Sequence, residues 1–160
     1  MIRPLANDAE ARQCAGMMCT TDPWITIGRD FDDCVSIVQK AGREVYVAEE
    51  DGTIDGFIIV DMKGAFIGYI AILCVSASRR GTGIGSRLIR FAEDRIFAET
   101  PNAFICASSF NPRARGLYER LGYKPVGELA DYVIPGHFEL LMRKTIGPLR
   151  GFRAPGRPRT

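Results

Sequence analysis

The segment Val75-Ser-Ala-Ser-Arg-Arg-Gly-Thr-Gly-Ile-Gly85 constrains this chain more than any other. An apolar run, Phe66 to Val75, enters it, and residues at helical spacing, Ile84, Leu88, Phe91, Ala92 and Ile96, leave it. A strand therefore turns through glycines straight into an amphipathic helix. Gly81, Gly83 and Gly85 let backbone N–H groups approach a ligand without a Cβ in the way, and the helix N-terminus adds partial positive charge. Such a turn suits a phosphate or pyrophosphate, and Arg79 and Arg80 are placed to add charge-assisted contacts. Three glycines can also serve a helix entry alone.

The rest of the chain supplies a mixed α/β frame. Ile2 to Leu5 reads as a short strand, and Asn7 caps a helix running to Cys19. Asp22, Pro23, Trp24 and Gly28 break that pattern, and a second helix follows from Phe31 to Ala41. From Glu44 the period becomes two, and Asp51-Gly52 turns the chain towards Gly56 to Val60 as a hairpin. The run Phe66 to Val75 is the next antiparallel strand. After the long helix come a strand at Ala103 to Ala107, a helix capped by Asn111-Pro112, and strands at Lys124 to Leu129 and Phe138 to Lys144. The order is β, α, α, β, β, β, α, β, α, β, β, a single α/β domain on a mixed sheet.

Composition excludes several classes. At 160 residues, 46% hydrophobic and 25% charged, the chain has the make-up of one globular domain. Five cysteines form no C-x-x-C pair, and with one histidine, His137, they offer no familiar zinc spacing. No metal is expected. Reduced thiols, and a start lacking a signal-peptide pattern, fit a cytoplasmic protein. The Phe66 to Val75 run is about half the length needed to span lipid, so no membrane partner is expected. Residues 145–160 hold Arg150, Arg153, Arg157 and Arg159 among prolines and glycines, with no acid. They read as a flexible basic tail after a domain at residues 1–144. Four arginines without interleaved aromatics make a weak case for nucleic acid.

Spelling narrows the glycine turn. The Walker pattern requires a lysine that is absent, and a dinucleotide pattern begun at Gly81 meets Ser86 where its last glycine belongs. The hexad Arg80-Gly81-Thr82-Gly83-Ile84-Gly85 instead spells [Q/R]-x-x-G-x-[G/A]. About thirty residues later, Asn111-Pro-Arg-Ala-Arg-Gly-Leu-Tyr118-Glu-Arg-Leu-Gly-Tyr123 reads N-x-x-A-x-x-x-Y-x-x-x-G-[FY]. Together these blocks resemble the GNAT superfamily of acyl-CoA-dependent N-acyltransferases, and the element order agrees over residues 2–144.

The resemblance implies a mostly antiparallel sheet with a splayed central strand pair that admits the pantetheine arm of acetyl-CoA. It implies that the backbone of Leu73, Cys74 and Val75 pairs with that arm, and that Arg80, Gly81, Thr82, Gly83, Ile84, Gly85 and Ser86 hold the pyrophosphate. Asn111 would contact pantetheine from the other side. Tyr118, on spacing alone a member of the apolar stripe with Ala114, Leu117 and Leu121, becomes by the signature the proton donor to the departing thiolate. The implied reaction is direct acetyl transfer to a primary amine in a ternary complex, without a covalent enzyme intermediate. The acceptor is a small-molecule amine or a protein or peptide amine; the rival reading is a non-catalytic acyl-CoA-binding or sensor module. Homodimers through the C-terminal strands, frequent in the family, are not dictated by Phe138 to Lys144.

The family pattern supplies no base. Where relatives carry glutamate on the strand before the glycine turn, this chain has Tyr69; where others carry it before the signature asparagine, it has Cys106. Glu139, His137, Asp131 or a chain of waters remain. Asp22, Trp24, Asp30, Asp32 and Asp33, in the connection between the first two helices, read equally as an acidic and aromatic set able to receive a cationic amine and as a solvated turn with helix-capping aspartates.

Overall fold

A computed structural model describes residues 1–156. Its seven strands are β1 Ile2–Pro4, β2 Glu44–Glu50, β3 Thr53–Asp61, β4 Tyr69–Val75, β5 Asn102–Ser108, β6 Lys124–Ala130 and β7 Phe138–Thr145. The helices are α1 Asp8–Cys19, α2 Trp24–Ile27, α3 Phe31–Val38, α4 Ile84–Phe97 and α5 Pro112–Arg120. The strands form one sheet in the order β1-β2-β3-β4-β5-β7-β6. Every pairing is antiparallel except β4 with β5.

Helices cover both faces. On one, α4 and α5 pack Ile84, Leu88, Ala92, Ile96 and Tyr118 against Ile58, Ile70, Ile105, Ala107 and Met142. On the other, Cys14, Met18 and Cys34 of α1 and α3 meet Val47, Phe57, Ile59 and Cys74. Residues that alternate along a strand thus feed two separate cores. Asn7 caps α1 as expected, its side chain accepting from the Glu10 amide at 3.0 Å. The expected break after α1 holds an additional one-turn helix, α2, closed by Gly28 in the left-handed region. The helix expected to reach Ala41 stops at Val38.

Two irregularities shape the centre of the sheet. The strand expected to begin at Phe66 begins at Tyr69, because Gly68 takes φ +86° and turns the chain; Phe66 and Ile67 are left exposed. A Cβ at Gly68 would lie 2.6 Å from both the Asn102 carbonyl oxygen and Ile96 Cγ2. Positive-φ strain costs roughly 1–3 kcal/mol and overpacking roughly as much again. Gly68→Ala is therefore expected to lower stability by about 2–5 kcal/mol, read as a shift of the urea midpoint at constant slope. The second irregularity is a bulge in β4: Ile59 pairs with Ile72 and Val60 with Ile70, leaving Ala71 unpaired.

β4 and β5 pair only at Tyr69↔Phe104 and Ile70↔Ile105. Beyond Ile70 the two strands separate, which is the splayed pair the resemblance implied. Past β7, residues 146–156 carry turns and no further helix or strand. Arg157 and Arg159 of the basic tail lie outside the described residues.

Candidate active site

The wedge between β4 and β5 opens into a cavity of about 530 Å³. Its walls bring together Leu73, Cys74 and Val75, the glycine turn, Asn111 and Tyr118. Of the residues singled out for the cofactor, only Thr82 stays off the wall. Its hydroxyl instead donates to the Arg79 carbonyl at 2.7 Å, tying the turn together.

The turn leaves its backbone amides accessible. Gly81 and Gly83 adopt φ +82° and +88°, and a Cβ on either would enter open space. Gly83 is the N-cap of α4 and has no side chain to satisfy the amides of the first turn. The N–H groups of Ile84, Gly85 and Ser86 therefore point out of the helix without intrahelical partners, at its positive end. Gly85 serves packing as well: a Cβ there would come within 3.4 Å of Leu117 Cδ2 and 3.7 Å of Val75 Cγ2. Arg79 departs from its expected role, since its guanidinium pairs with Glu50 and, at 3.2 Å, with Asp55. Arg80 is exposed, and its one side-chain hydrogen bond among the described residues is to the Val75 carbonyl at 3.4 Å, so of the two arginines it is the one without a carboxylate partner there.

Asn111 and Tyr118 are positioned by α5. The Asn111 Oδ1 accepts from the Ala114 amide at 3.2 Å, which leaves its NH₂ group as a donor at the cavity wall. Tyr118 is 6% exposed, and its ring lies 6.2 Å from that of Tyr123, the buried last residue of the signature. Burial raises the Tyr118 pKa, and the Cys106 and Glu139 side chains add to the shift. The phenol therefore stays protonated at neutral pH, as a proton donor must.

The opposite side of the wedge holds residues whose grouping alternation alone does not give. Ala103, Ile105 and Ala107 of β5 enter the α4 core, so Cys106 and Ser108 face the other way. Ser108 pairs in register with Glu139 of β7, which places the carboxylate on that same face. The bulge at Ala71 turns Tyr69 to this side too, and burial, then the neighbouring Cys106 thiol, push its pKa upward. Glu139, which as an alternating strand residue reads most simply as outward, is instead 8% exposed and on the cavity wall. His137 is exposed beside Ser109, and Asp131 accepts from the Gly136 amide; neither lines the cavity. Of the acidic set, Asp22 and Trp24 line it. Asp30 and Asp33 instead form the capping box of α3, and Asp32 is exposed in its first turn.

The two cysteines on the cavity wall, buried Cys74 and part-buried Cys106, are poor nucleophiles. Burial pushes the Cys74 thiol up to about 12 and raises that of Cys106 as well. Reactive cysteines require the reverse shift. Cys74→Ala and Cys106→Ala are each expected to retain turnover in a steady-state assay. Among the described residues there is no cluster of three or more metal-ligating side chains, and no helix is long and apolar enough to cross a membrane.

Residues 41–125, which run from β2 through the wedge to the end of the signature, match the family profile described as "Acetyltransferase (GNAT) domain". The chain belongs to the GNAT family. Its relatives include a blasticidin-S acetyltransferase of Streptomyces morookaense, 31% identical over 87 residues, covering 54% of this chain and 63% of the relative. An N-acetyltransferase of Methanocaldococcus jannaschii is 35% identical over 101 residues, covering 62% and 64%. The chain thus spans somewhat less than two thirds of these curated relatives. Among solved structures, an aminoglycoside 6'-N-acetyltransferase complexed with coenzyme A superimposes with a TM-score of 0.75 over 92% of this chain and 98% of that one. At 22% identity that likeness lies in the GNAT fold.

Proposed function

We propose that this GNAT protein is an N-acetyltransferase that moves the acetyl group of acetyl-CoA to a primary amine by direct attack in a ternary complex. The observation that carries this reading is the wedge itself, with an anion-binding turn at one end and a buried, protonated Tyr118 at the other. The residues fit the donor. Open space at Gly81 and Gly83 admits phosphate oxygens to the first-turn amides of α4, and Arg80 adds charge. On the side towards β5 the β4 backbone from Leu73 to Val75 is unpaired and offers a free ladder edge to the amides of pantetheine, and Asn111 lines the same cavity with its NH₂ group as a donor. When bound, acetyl-CoA supplies an activated thioester; Tyr118 would give its proton to the departing sulfur.

The acceptor enters from the face of Tyr69, Trp24, Tyr132, Asp22 and Glu139, three aromatic side chains with two carboxylates. Such a mouth favours a small cationic amine through aromatic and charge contacts. A relative named for the small molecule blasticidin-S points the same way. The test is calorimetric titration with acetyl-CoA followed by thiol release on a panel of small amines and peptides. Saturable binding with turnover on a small amine supports the reading. Binding without turnover across the panel favours the acyl-CoA-binding module, and failure of the folded protein to bind overturns both.

A further inference from the structure

We infer that Glu139 of β7 is the general base that takes a proton from the incoming ammonium group, working across the wedge from Tyr118. The inference rests on the acetyltransferase reading and supplies what the family pattern leaves vacant at Tyr69 and Cys106. Its ground is placement. Glu139 lies on the acceptor face, in register with Ser108, while Tyr118 belongs to the core of the opposite face. Both line one cavity, and the Glu139 charge is felt at Tyr118, Cys106 and Tyr69 alike. A base and an acid on opposite walls of a gap bracket whatever sits within it.

The chemistry of the site supports this. Burial raises the pKa of Glu139, and only the neighbouring Ser108 side chain opposes that; among the described residues no cation compensates the carboxylate. A buried carboxylate without a cationic partner costs stability, and such groups collect at functional sites. The titratable neighbours are few. Cys106 of β5, Tyr69 of β4 and Tyr118 of α5 all have raised pKa values, so they are neutral at pH 7. Tyr132 lines the wall from the loop before β7, and from β6 the residue paired with Glu139 is Leu129. Asp22 and Arg29 line the wall near α2, and Arg79, Arg80, Arg113 and Arg120 line it on the cofactor side.

The step balances. The ammonium gives one proton to the Glu139 carboxylate, and the freed lone pair forms the N–C bond to the acetyl carbonyl. The C–S bond breaks, and the sulfur takes the Tyr118 proton. The second nitrogen proton restores Tyr118, and Glu139 releases its proton to water, leaving amide, free thiol and one H⁺.

The experiment compares the full chain with Glu139→Gln and Glu139→Asp, measuring acetyl-CoA affinity by calorimetry and kcat/KM for an accepted amine across pH. Glu139→Gln is expected to bind acetyl-CoA as the parent does, with kcat/KM lower by roughly 10²–10⁴-fold at neutral pH. The sign with pH is diagnostic. As pH approaches the amine's own pKa, the free amine needs no base and the deficit shrinks. Glu139→Asp, which retains a carboxylate, keeps the shape of the parent profile at a reduced rate and serves if the Gln variant does not fold. Full activity of Glu139→Gln, a deficit constant across pH, or an altered profile for Glu139→Asp would overturn the assignment while leaving the acetyltransferase reading intact. A parent that acetylates no amine overturns both.

Discussion

Tyr118→Phe is expected to lower kcat by roughly 10²–10⁴-fold while leaving acetyl-CoA affinity unchanged. The substitution removes one oxygen and nothing else. The ring keeps its place in the α4 core and beside Tyr123, so packing is conserved and the melting temperature should hold. In the proposed reaction, what disappears is the proton for the departing sulfur. The phenol is held in its neutral form chiefly by burial, with Cys106 and Glu139 acting in the same direction. A thiolate leaving without a proton must carry its full charge into the wedge beside buried Tyr118 and the Glu139 carboxylate, where unpaired charge is costly. Because the hydroxyl acts only as the C–S bond breaks, its loss should appear in kcat and kcat/KM together. Steady-state kinetics beside a calorimetric titration provide the check. A Phe variant with full kcat would return Tyr118 to the role its spacing suggests, a core aromatic.

The glycine turn and the signature were legible in the sequence because each is a local demand. A left-handed N-cap requires Gly83, and a helix starting at Pro112 requires a capping Asn111. The apolar helix faces that cover the two cores followed from periodicity. The acceptor face was less legible for a reason that can be stated residue by residue. Strict alternation back from Leu73 puts Tyr69 on the cofactor face, and only the bulge at Ala71 turns it to the other. Nothing local in Tyr-Ile-Ala-Ile-Leu announces that bulge. Glu139 posed the same difficulty: its alternation was visible, but the burial of its face depends on Ser108 of a strand about thirty residues away. The acidic run after α1 read two ways, and the capping reading holds for Asp30 and Asp33, which satisfy backbone amides of α3, while Asp22 lines the cavity.

The second large effect is at the turn itself. Gly83→Glu is expected to abolish measurable acetyl-CoA binding, a loss of roughly 10²–10⁴-fold or more. Three costs combine. A side chain at φ +88° is strained whatever space surrounds it, so the N-cap shifts. The space a Cβ would enter is empty of protein and is the approach to the first-turn amides, so the longer glutamate occupies the phosphate's path. Its carboxylate is also drawn to those amides by the attraction meant for phosphate, and it repels the ligand's negative charge. Losing two charge-assisted hydrogen bonds, each contributing about 1.5–3 kcal/mol, by itself accounts for that range. The control is Gly83→Ala, which carries the strain without the charge or the length and should retain weakened binding. Circular dichroism and a thermal melt separate misfolding from a blocked site. If folded Gly83→Glu binds acetyl-CoA as the parent does, the pyrophosphate is held elsewhere, and Arg80 and the amides of α4 lose their assigned role.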